Sequence, residues 1–416
     1  METIGIIGGG IAGLSTALAL RSQNIPSVIY EASTAKERFA GGIMLSPNSL
    51  HILDQLDIYS RIRAKGWSFQ TVEFTEPDGQ SVDKQYLGSK EVFGYDALRI
   101  YRNTLLQSLK SACAERNIPI QYSKKFTSIV SETSSAVTIG FVDGTQATHA
   151  LIVAADGIHS KVRTAVIPNS DPVYTGILVV AGAVPLSALA NPKNMSLTQP
   201  LAEAGTHSQP AFIMAPQNPD ATDFLAGTQR RHPEEDREGW ARIAADRKFH
   251  REFLLEGLEH RSELMQSAAK GITDESIYTW PFYISPKLER WHSEKGRVVI
   301  IGDGAHSLSP VMGQGANQAM EDAWSLGLLL GKIGSERDGE NWLTYLDKWE
   351  AVRKETIGKL LALTAKMNNA RAPLEVREKL SKDEVWTGEG GAEAMRWLFV
   401  PQIEEWVGQI VEGASK

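Results

Sequence analysis

The stretch Ile4-Gly5-Ile6-Ile7-Gly8-Gly9-Gly10-Ile11-Ala12-Gly13 decides the fold. The apolar run Ile4 to Ile7 reads as a strand, Gly8, Gly10 and Gly13 form a GxGxxG turn, and Ala12 to Leu20 reads as a helix. Val28-Ile29-Tyr30-Glu31 then reads as a second strand, which completes the first half of a βαβ unit. Where such a strand ends and its helix opens, backbone N–H groups and the positive end of the helix dipole receive a pyrophosphate. Glu31 lies 18 residues after Gly13, the position from which a carboxylate accepts hydrogen bonds from ribose hydroxyls. Its charge disfavours a 2'-phosphate there. By itself the motif does not choose between NAD and FAD.

Two more strand–turn patterns follow. Ala150-Leu151-Ile152-Val153-Ala154-Ala155 leads into Asp156-Gly157, and Val298-Val299-Ile300-Ile301 leads into Gly302-Asp303-Gly304. Continuous apolar runs of this kind are strands buried on both faces of a parallel or mixed sheet. The Asp156-Gly157 turn is expected beside the pyrophosphate, with Arg163 supplying positive charge. In the later run Asp303 puts a carboxylate at a strand end, and Gly313-Gln314-Gly315-Ala316-Asn317 makes a glycine-rich helix entry.

Between these runs, Pro172 to Tyr283 carries short strand-like segments with Pro- and Asn-containing turns, so a separate sheet is expected there. Within it, Arg230 to His260 is charged and helix-prone and reads as a solvated helix. After Gly315 the chain reads as helical, from Gln318 to Leu330 and from Trp342 to Met367. The expected fold is α/β, a doubly wound Rossmann-like domain with an inserted mixed β-sheet layer and C-terminal helices. Its parts are residues 1–171 and 286–335 for the nucleotide domain, 172–285 for the inserted layer, and 336–416 for a helical cover.

Composition narrows the function classes. A chain of 416 residues with 42% apolar and 22% charged residues can bury a sizeable core and is neither disordered nor a coiled coil. A net charge of -7 argues against nucleic acid, which needs a basic face. The single cysteine, Cys113, can make neither an internal disulfide nor a CxxC pair, so no metal site is expected and a reducing compartment fits. The Met1 end has no basic segment, and its apolar run is broken by glycines, unlike a signal peptide. Ile177 to Ala190 contains Pro185 and is too short to span a bilayer. The expectation is a cytoplasmic protein, monomer or homodimer, without stable membrane insertion.

Taken together, the three motifs make the chain resemble the group A flavoprotein monooxygenases, the family of para-hydroxybenzoate hydroxylase, salicylate hydroxylase and zeaxanthin epoxidase, and especially its fungal secondary-metabolism members. The resemblance implies FAD as cofactor, NADPH or NADH as a transient reductant, and O2 and a small organic molecule as substrates. It also implies hydroxylation or epoxidation through a flavin C4a-hydroperoxide. Carried onto this chain, Gly8, Gly10 and Gly13 would hold the ADP half, Glu31 the adenosine ribose, and Asp303 the ribitol, with Asp156 near the pyrophosphate. Arg102, in Ile100-Tyr101-Arg102, matches an arginine lying along the FAD. Gly41-Gly42-Ile43 resembles a GAGI stretch beside the flavin, with Gly42 where the family has Ala. A helix starting at Gly313, Gly315, Ala316 and Asn317 would aim its amides at the N1–C2=O edge of the flavin, where charge collects on reduction.

Two further features depart from the pattern. Gly304 replaces the usual Ala, and Val180-Ala181-Gly182 lacks an arginine that many members carry on the substrate sheet. Trp280, Phe282 and Tyr283, with Pro310, are candidates to line an aromatic pocket, although an aromatic cluster at a strand end is more often core. His306 is read as a hydrogen-bonded structural histidine, and no catalytic acid or base is assigned. Trp397 and Trp406 fit a helix packed on the body better than one facing a membrane, because Glu404 and Glu405 interrupt it and a basic face is lacking. A reductase or dehydrogenase on the same scaffold, or a flavin-binding partner protein without turnover, would carry the same motifs.

Overall fold

Residues 3–34, 41–190, 200–203, 211–334, 341–370, 379–386, 388 and 390–414 are described by a computed structural model. The glycine-turn unit forms as its sequence dictates: β1 (Ile4–Ile7), α1 (Ile11–Ser22) and β2 (Ser27–Tyr30), both strands buried along their whole length. The chain then runs through β3 (Gly42–Leu45), α2 (Pro47–Gln55), β4 (Trp67–Phe69), β5 (Thr71–Thr75), β6 (Ser81–Tyr86), β7 (Ala97–Tyr101) and α3 (Arg102–Glu115). Next come β8 (Ile120–Gln121), β9 (Phe126–Glu132), β10 (Val137–Phe141), β11 (Gln146–His149), β12 (Leu151–Ala154), α4 (Lys161–Val166) and β13 (Val173–Pro185). The second half holds β14 (Leu201–Glu203), β15 (Phe212–Pro216), β16 (Asp223–Arg231), α5 (Arg237–Ala245), α6 (Arg247–Leu255), α7 (Glu263–Gly271) and β17 (Tyr278–Ile284). It ends with β18 (Val298–Ile300), α8 (Asp303–His306), α9 (Gly315–Ile333), α10 (Trp342–Ala370) and α11 (Ile403–Ala414).

The three apolar runs pair as neighbours in one parallel sheet of order β18-β12-β1-β2-β8. All three motif turns therefore emerge from the same edge of that sheet, which is how residues some 300 positions apart reach one site. Helices α1 and α9 pack on it with Ile4, Ile6, Leu14, Leu18, Leu326 and Leu330 in the shared core. The strands β3, β7 and β4 form a small antiparallel sheet beside it.

The inserted layer differs from its expected bounds. Its sheet has order β17-β13-β16-β15-β14-β5-β6, so β5 and β6, from residues 71–86, leave the first segment and join it. They cover the edge of β14 through the parallel pairing Leu201↔Glu73, and an uncovered edge would expose unpaired N–H and C=O groups. Nothing local to residues 71–86 announces a partner so distant in sequence.

The single helix expected over 230–260 is two helices. Asp246 ends α5 and caps α6 by accepting the Phe249 N–H at 3.0 Å, and β16 continues to Arg231. Only one face of α6 is solvated. Phe253 and Leu254 join Leu178, Val180 and Val184 of β13 in one buried cluster, and His250 is buried as well. The C-terminal helices pack on the body: Ile403, Val407 and Ile410 of α11 are buried, and Trp324 of α9 donates its Nε1–H to Glu404 at 3.0 Å. Among the described residues no helix is long and apolar enough to cross a membrane.

Candidate active site

The glycine turn is shaped by two close approaches. Gly8 has a φ of +109°, and a Cβ there would lie 2.4 Å from the Ala155 carbonyl oxygen; a Cβ on Gly13 would lie 1.9 Å from that of Gly8. These glycines let α1 start directly over the end of β1. Gly10, the N-cap of α1, has no atom within 4 Å of a Cβ position, and no side chain caps the first amides of the helix. The turn thus presents free N–H groups to an open concavity, as a pyrophosphate requires. Glu31 accepts the Gly9 N–H at 2.6 Å and the Ser33 N–H at 2.7 Å. Burial pushes its carboxyl up, but the Ser33 and Gly9 donors, with Lys110, outweigh this and hold it below the ordinary value. The carboxylate is ionised and positioned, with lone pairs left for a ribose.

Asp156 caps α4, accepting the Lys161 and Val162 N–H groups at 2.9 and 3.2 Å. Its Oδ1 is buried without a partner, and burial raises its carboxyl pKa. Arg163 departs from its expected role. Its guanidinium is fully buried and donates to the Ser170, Gly304 and Ile158 carbonyls at 2.8, 3.0 and 2.8 Å. It ties the Asp156-Gly157 turn to the Gly302-Asp303-Gly304 turn and offers no charge to a phosphate.

Asp303 is exposed and carries no side-chain hydrogen bond among the described residues. Its Oδ1 lies 3.6 Å from a Cβ position on Gly315, so carboxylate and helix entry adjoin. In α9 the first ladder bond is Gln318 N–H to Gln314 C=O, at 2.8 Å, which leaves the amides of Gly315, Ala316 and Asn317 outside the ladder. The Asn317 side chain is engaged internally. It accepts from Ser46 N–H at 3.1 Å and Ser49 Oγ–H, and donates to the Met44 and Gly313 carbonyls at 3.2 and 2.7 Å. Only its amide remains for a ligand.

Strand β3 closes the other side. Arg102 N–H bonds the Gly41 carbonyl at 3.0 Å, which sets the hydrogen-bonding phase with β7; Gly42 and Met44 consequently direct their N–H and C=O groups away from β7, where Asn317 takes the Met44 carbonyl and the Gly42 groups lie on the outer edge of the sheet. The Arg102 side chain is exposed at the first turn of α3.

Behind the helix entry lies a buried polar network that sequence reading missed. Arg353 of α10 donates from Nε to Asp322 at 2.7 Å, from Nη1 to Glu321 at 2.6 Å, and from Nη2 to the Gln318 carbonyl and Oε1. Asp322 also accepts from the Gly302 N–H at 2.8 Å and bonds His306 Nε2 at 2.6 Å. Glu321 accepts from Asn48 and Gln318. His306 is thus the structural histidine expected of it. The acidic pair stood in plain view after Asn317, but its cation lies 31 residues further on, with no motif of its own.

Trp280, Phe282, Tyr283 and Pro310 all line one cleft of ≈ 250 Å3, together with Ile177 and Gln229. Trp280 is 50% exposed and packs edge-on against Phe282, with ring centroids 4.9 Å apart, so these rings are a wall and not a core. Tyr283 reaches outward as well, accepting the Trp240 Nε1–H at 3.0 Å. No cluster of three or more metal-ligating side chains occurs among the described residues.

Residues 1–361 match the family model described as FAD binding domain. The chain belongs to this family. Among curated proteins, this FAD-binding chain is 28% identical to the 3-amino-4-hydroxybenzoate 2-monooxygenase of Streptomyces cremeus, over 78% of this chain and 77% of that one. It is 25% identical to the FAD-dependent monooxygenase OpS4 of Beauveria bassiana, over 85% and 82%. Its fold is that of CtdE crystallised with FAD and a substrate, at a TM-score of 0.78 and 17% identity, covering 100% of this chain and 99% of that one. It is also that of Klebsiella pneumoniae HpxO complexed with FAD and uric acid, at a TM-score of 0.71 and 22% identity, covering 99% and 95%. The cofactor is FAD, and the geometry fits it: an open phosphate turn, a positioned Glu31, an Asp303 side chain unpaired among the described residues beside free helix amides, and a strand edge at Gly42.

Proposed function

We propose that this chain is a single-component FAD-dependent monooxygenase that uses NAD(P)H and O2 to place one oxygen atom on an aromatic small molecule. The observation that carries the reading is the meeting of two features. Pro310 lines the aromatic cleft and lies in the turn between Asp303 and the free amides that begin at Gly315. The names of the relatives, monooxygenases of an aminohydroxybenzoate and of fungal origin, point the same way.

When bound, FAD would supply the redox and oxygen-transfer chemistry that the side chains lack. The residues of the chain supply position and field. Glu31, Arg102, Asp156 and Asp303 are proposed to bind the adenosine, pyrophosphate and ribitol portions, with Gly8, Gly10 and Gly13 shaping the turn. The amides of Gly315, Ala316 and Asn317, at the positive end of α9, would favour negative charge on a cofactor bound there. Trp280, Phe282 and Pro310 hold an aromatic ring and exclude water around it. Residues 1–70, 87–171 and 286–335 form the cofactor-binding part in this proposal, with the seven-stranded sheet as the substrate part.

The test is a turnover assay with FAD-loaded protein and candidate aromatic substrates under labelled O2. Stimulated NAD(P)H consumption with a product one labelled oxygen heavier supports oxygen transfer. Hydride transfer without oxygen incorporation would show a dehydrogenase on this scaffold.

A further inference from the structure

His250 of α6 is 0% exposed, and among the described residues neither of its ring nitrogens has a hydrogen-bond partner. A neutral imidazole carries one donor and one acceptor, and leaving both unmade in a dry interior costs stability. A leucine or phenylalanine would fill the same space without that cost, so packing alone does not account for the imidazole.

Its surroundings make a charge there costly. His250, Phe253 and Leu254 fall at i, i+3 and i+4 on α6, and all three are buried. Burial is the main influence on the ring and lowers its pKa; the Ile243 carbonyl raises it, Arg247 lowers it and Asp246 raises it. Asp246, the carboxylate among these, is exposed and turned to the Phe249 N–H at 3.0 Å. Facing α6, β13 carries no ionisable side chain but Tyr174, and the charged residues of α5 and α7 are exposed. β16 brings a second cation, with Arg230 5.4 Å from the Phe253 ring, and His232 touches the ring of Phe249. A proton on His250 would thus make a buried cation, the kind of charge a folded interior expels.

The core beneath α6 is separate from the one under the cofactor turns. Leu178, Val180, Phe253, Leu254 and Met265 share one buried cluster, whereas Ile4, Leu14, Val153 and Leu326 belong to another. β13, on which α6 packs, also carries Thr175 and Ile177 to the aromatic cleft. An opening of α6 therefore reaches the wall of the cleft without breaking the parallel sheet, because segments with their own contacts can open independently.

We infer that His250 is an acid-sensitive latch, whose protonation releases α6 from the back of β13 and loosens the seven-stranded sheet while the cofactor core stays folded. The closed protein binds the proton less well than the opened segment, whose imidazole titrates near its ordinary value of about 6.5. Above that pH the latch is fully held. Below it, opening becomes more favourable by up to about tenfold per pH unit, until the buried ring itself takes the proton.

Hydrogen exchange of the FAD-loaded full chain, followed by mass spectrometry between about pH 7.5 and 5, tests this with His250→Leu and His250→Gln alongside. Protection factors, corrected for the intrinsic pH dependence of amide exchange, are compared for residues 247–255 and 4–20, and FAD retention is read from its absorbance. In the wild type, protection of 247–255 should hold steady down to about pH 6.5 and fall about fivefold to tenfold between pH 6 and 5, with 4–20 unchanged within about twofold and FAD still bound. Both variants should lose that fall, since neither leucine nor glutamine titrates there. Steady protection of 247–255 in the wild type would overturn the inference. A fall persisting in the variants would overturn it too, and would point to His232 or Asp246, as would a fall shared equally by 4–20 with release of FAD, which is global acid unfolding. If one variant does not retain FAD, the other decides by the same criterion. Exchange is read without substrate or turnover, so its outcome is independent of the oxygen-transfer reading.

Discussion

Replacing Arg353 by Met removes one cation and leaves two carboxylates in a dry interior. Asp322, Glu321 and Arg353 are 0%, 1% and 1% exposed, so water cannot take the place of the guanidinium. Breaking a buried pair by removing one partner costs about 3–5 kcal/mol, because the remaining charge is uncompensated. For 416 residues the unfolding entropy is on the order of 0.9 kcal/mol/K, so the melting temperature should fall by about 3–6 °C. FAD retention should weaken too, because Asp322 holds the Gly302 N–H and His306 on either side of Asp303.

The pH dependence gives the sharper check. Burial drives the Asp322 carboxyl up, but His306, Arg353 and the Gly302 N–H bring it down to about 2, so its contribution is present above its unfolded pKa and lost as pH falls through the folded value. Glu321 is raised by burial despite Arg353 and Asn48, and it acts in the opposite sense, stabilising at acid pH and losing that as pH rises. Without Arg353 both carboxyls move up, and protonation relieves the strain. The penalty of Arg353→Met should therefore be largest near neutrality and shrink toward about pH 5, and Glu321→Gln in the same chain should recover part of it. Thermal melts of both variants and the parent from about pH 5 to 8 measure this. A penalty that is flat or grows on acidification would refute the account of buried, charge-starved carboxylates.

Other perturbations probe the site separately. Glu31→Gln should raise the FAD dissociation constant about tenfold, the value of a charge-assisted hydrogen bond, in a fluorescence titration at neutral pH; unchanged affinity would remove Glu31 from the site. Gly13→Ala drives a methyl group into the Gly8 carbonyl, 1.9 Å away, and should cost about 2–3 kcal/mol with loss of FAD, read from melting and cofactor content. Trp280→Ala, at a half-exposed position, should change stability by less than about 0.5 kcal/mol while reducing substrate-stimulated flavin reduction in stopped flow. Cys113 is buried, and burial pushes its thiol up to about 12, so thiol reagents should label it only as the protein unfolds.

What was legible in the sequence was local. Gly8, Gly10 and Gly13 announce a turn because the backbone constraint and the phosphate it receives fit within six residues, and the apolar runs before Asp156 and Gly302 announce buried parallel strands for the same reason. Pairings made across the chain left no such mark. The second sheet recruits β5 and β6 from 71–86 to shield an edge at Leu201–Glu203, and Arg353 answers Glu321 and Asp322 from another helix. Arg163 was misread because an arginine in the helix that follows a phosphate turn looks the same in sequence whether it faces the ligand or, as here, clamps three carbonyls. In this fold the residues that shape the cofactor turn can be read from spacing, whereas a buried charge network that supports it, made between helices, is visible only once the helices are packed together.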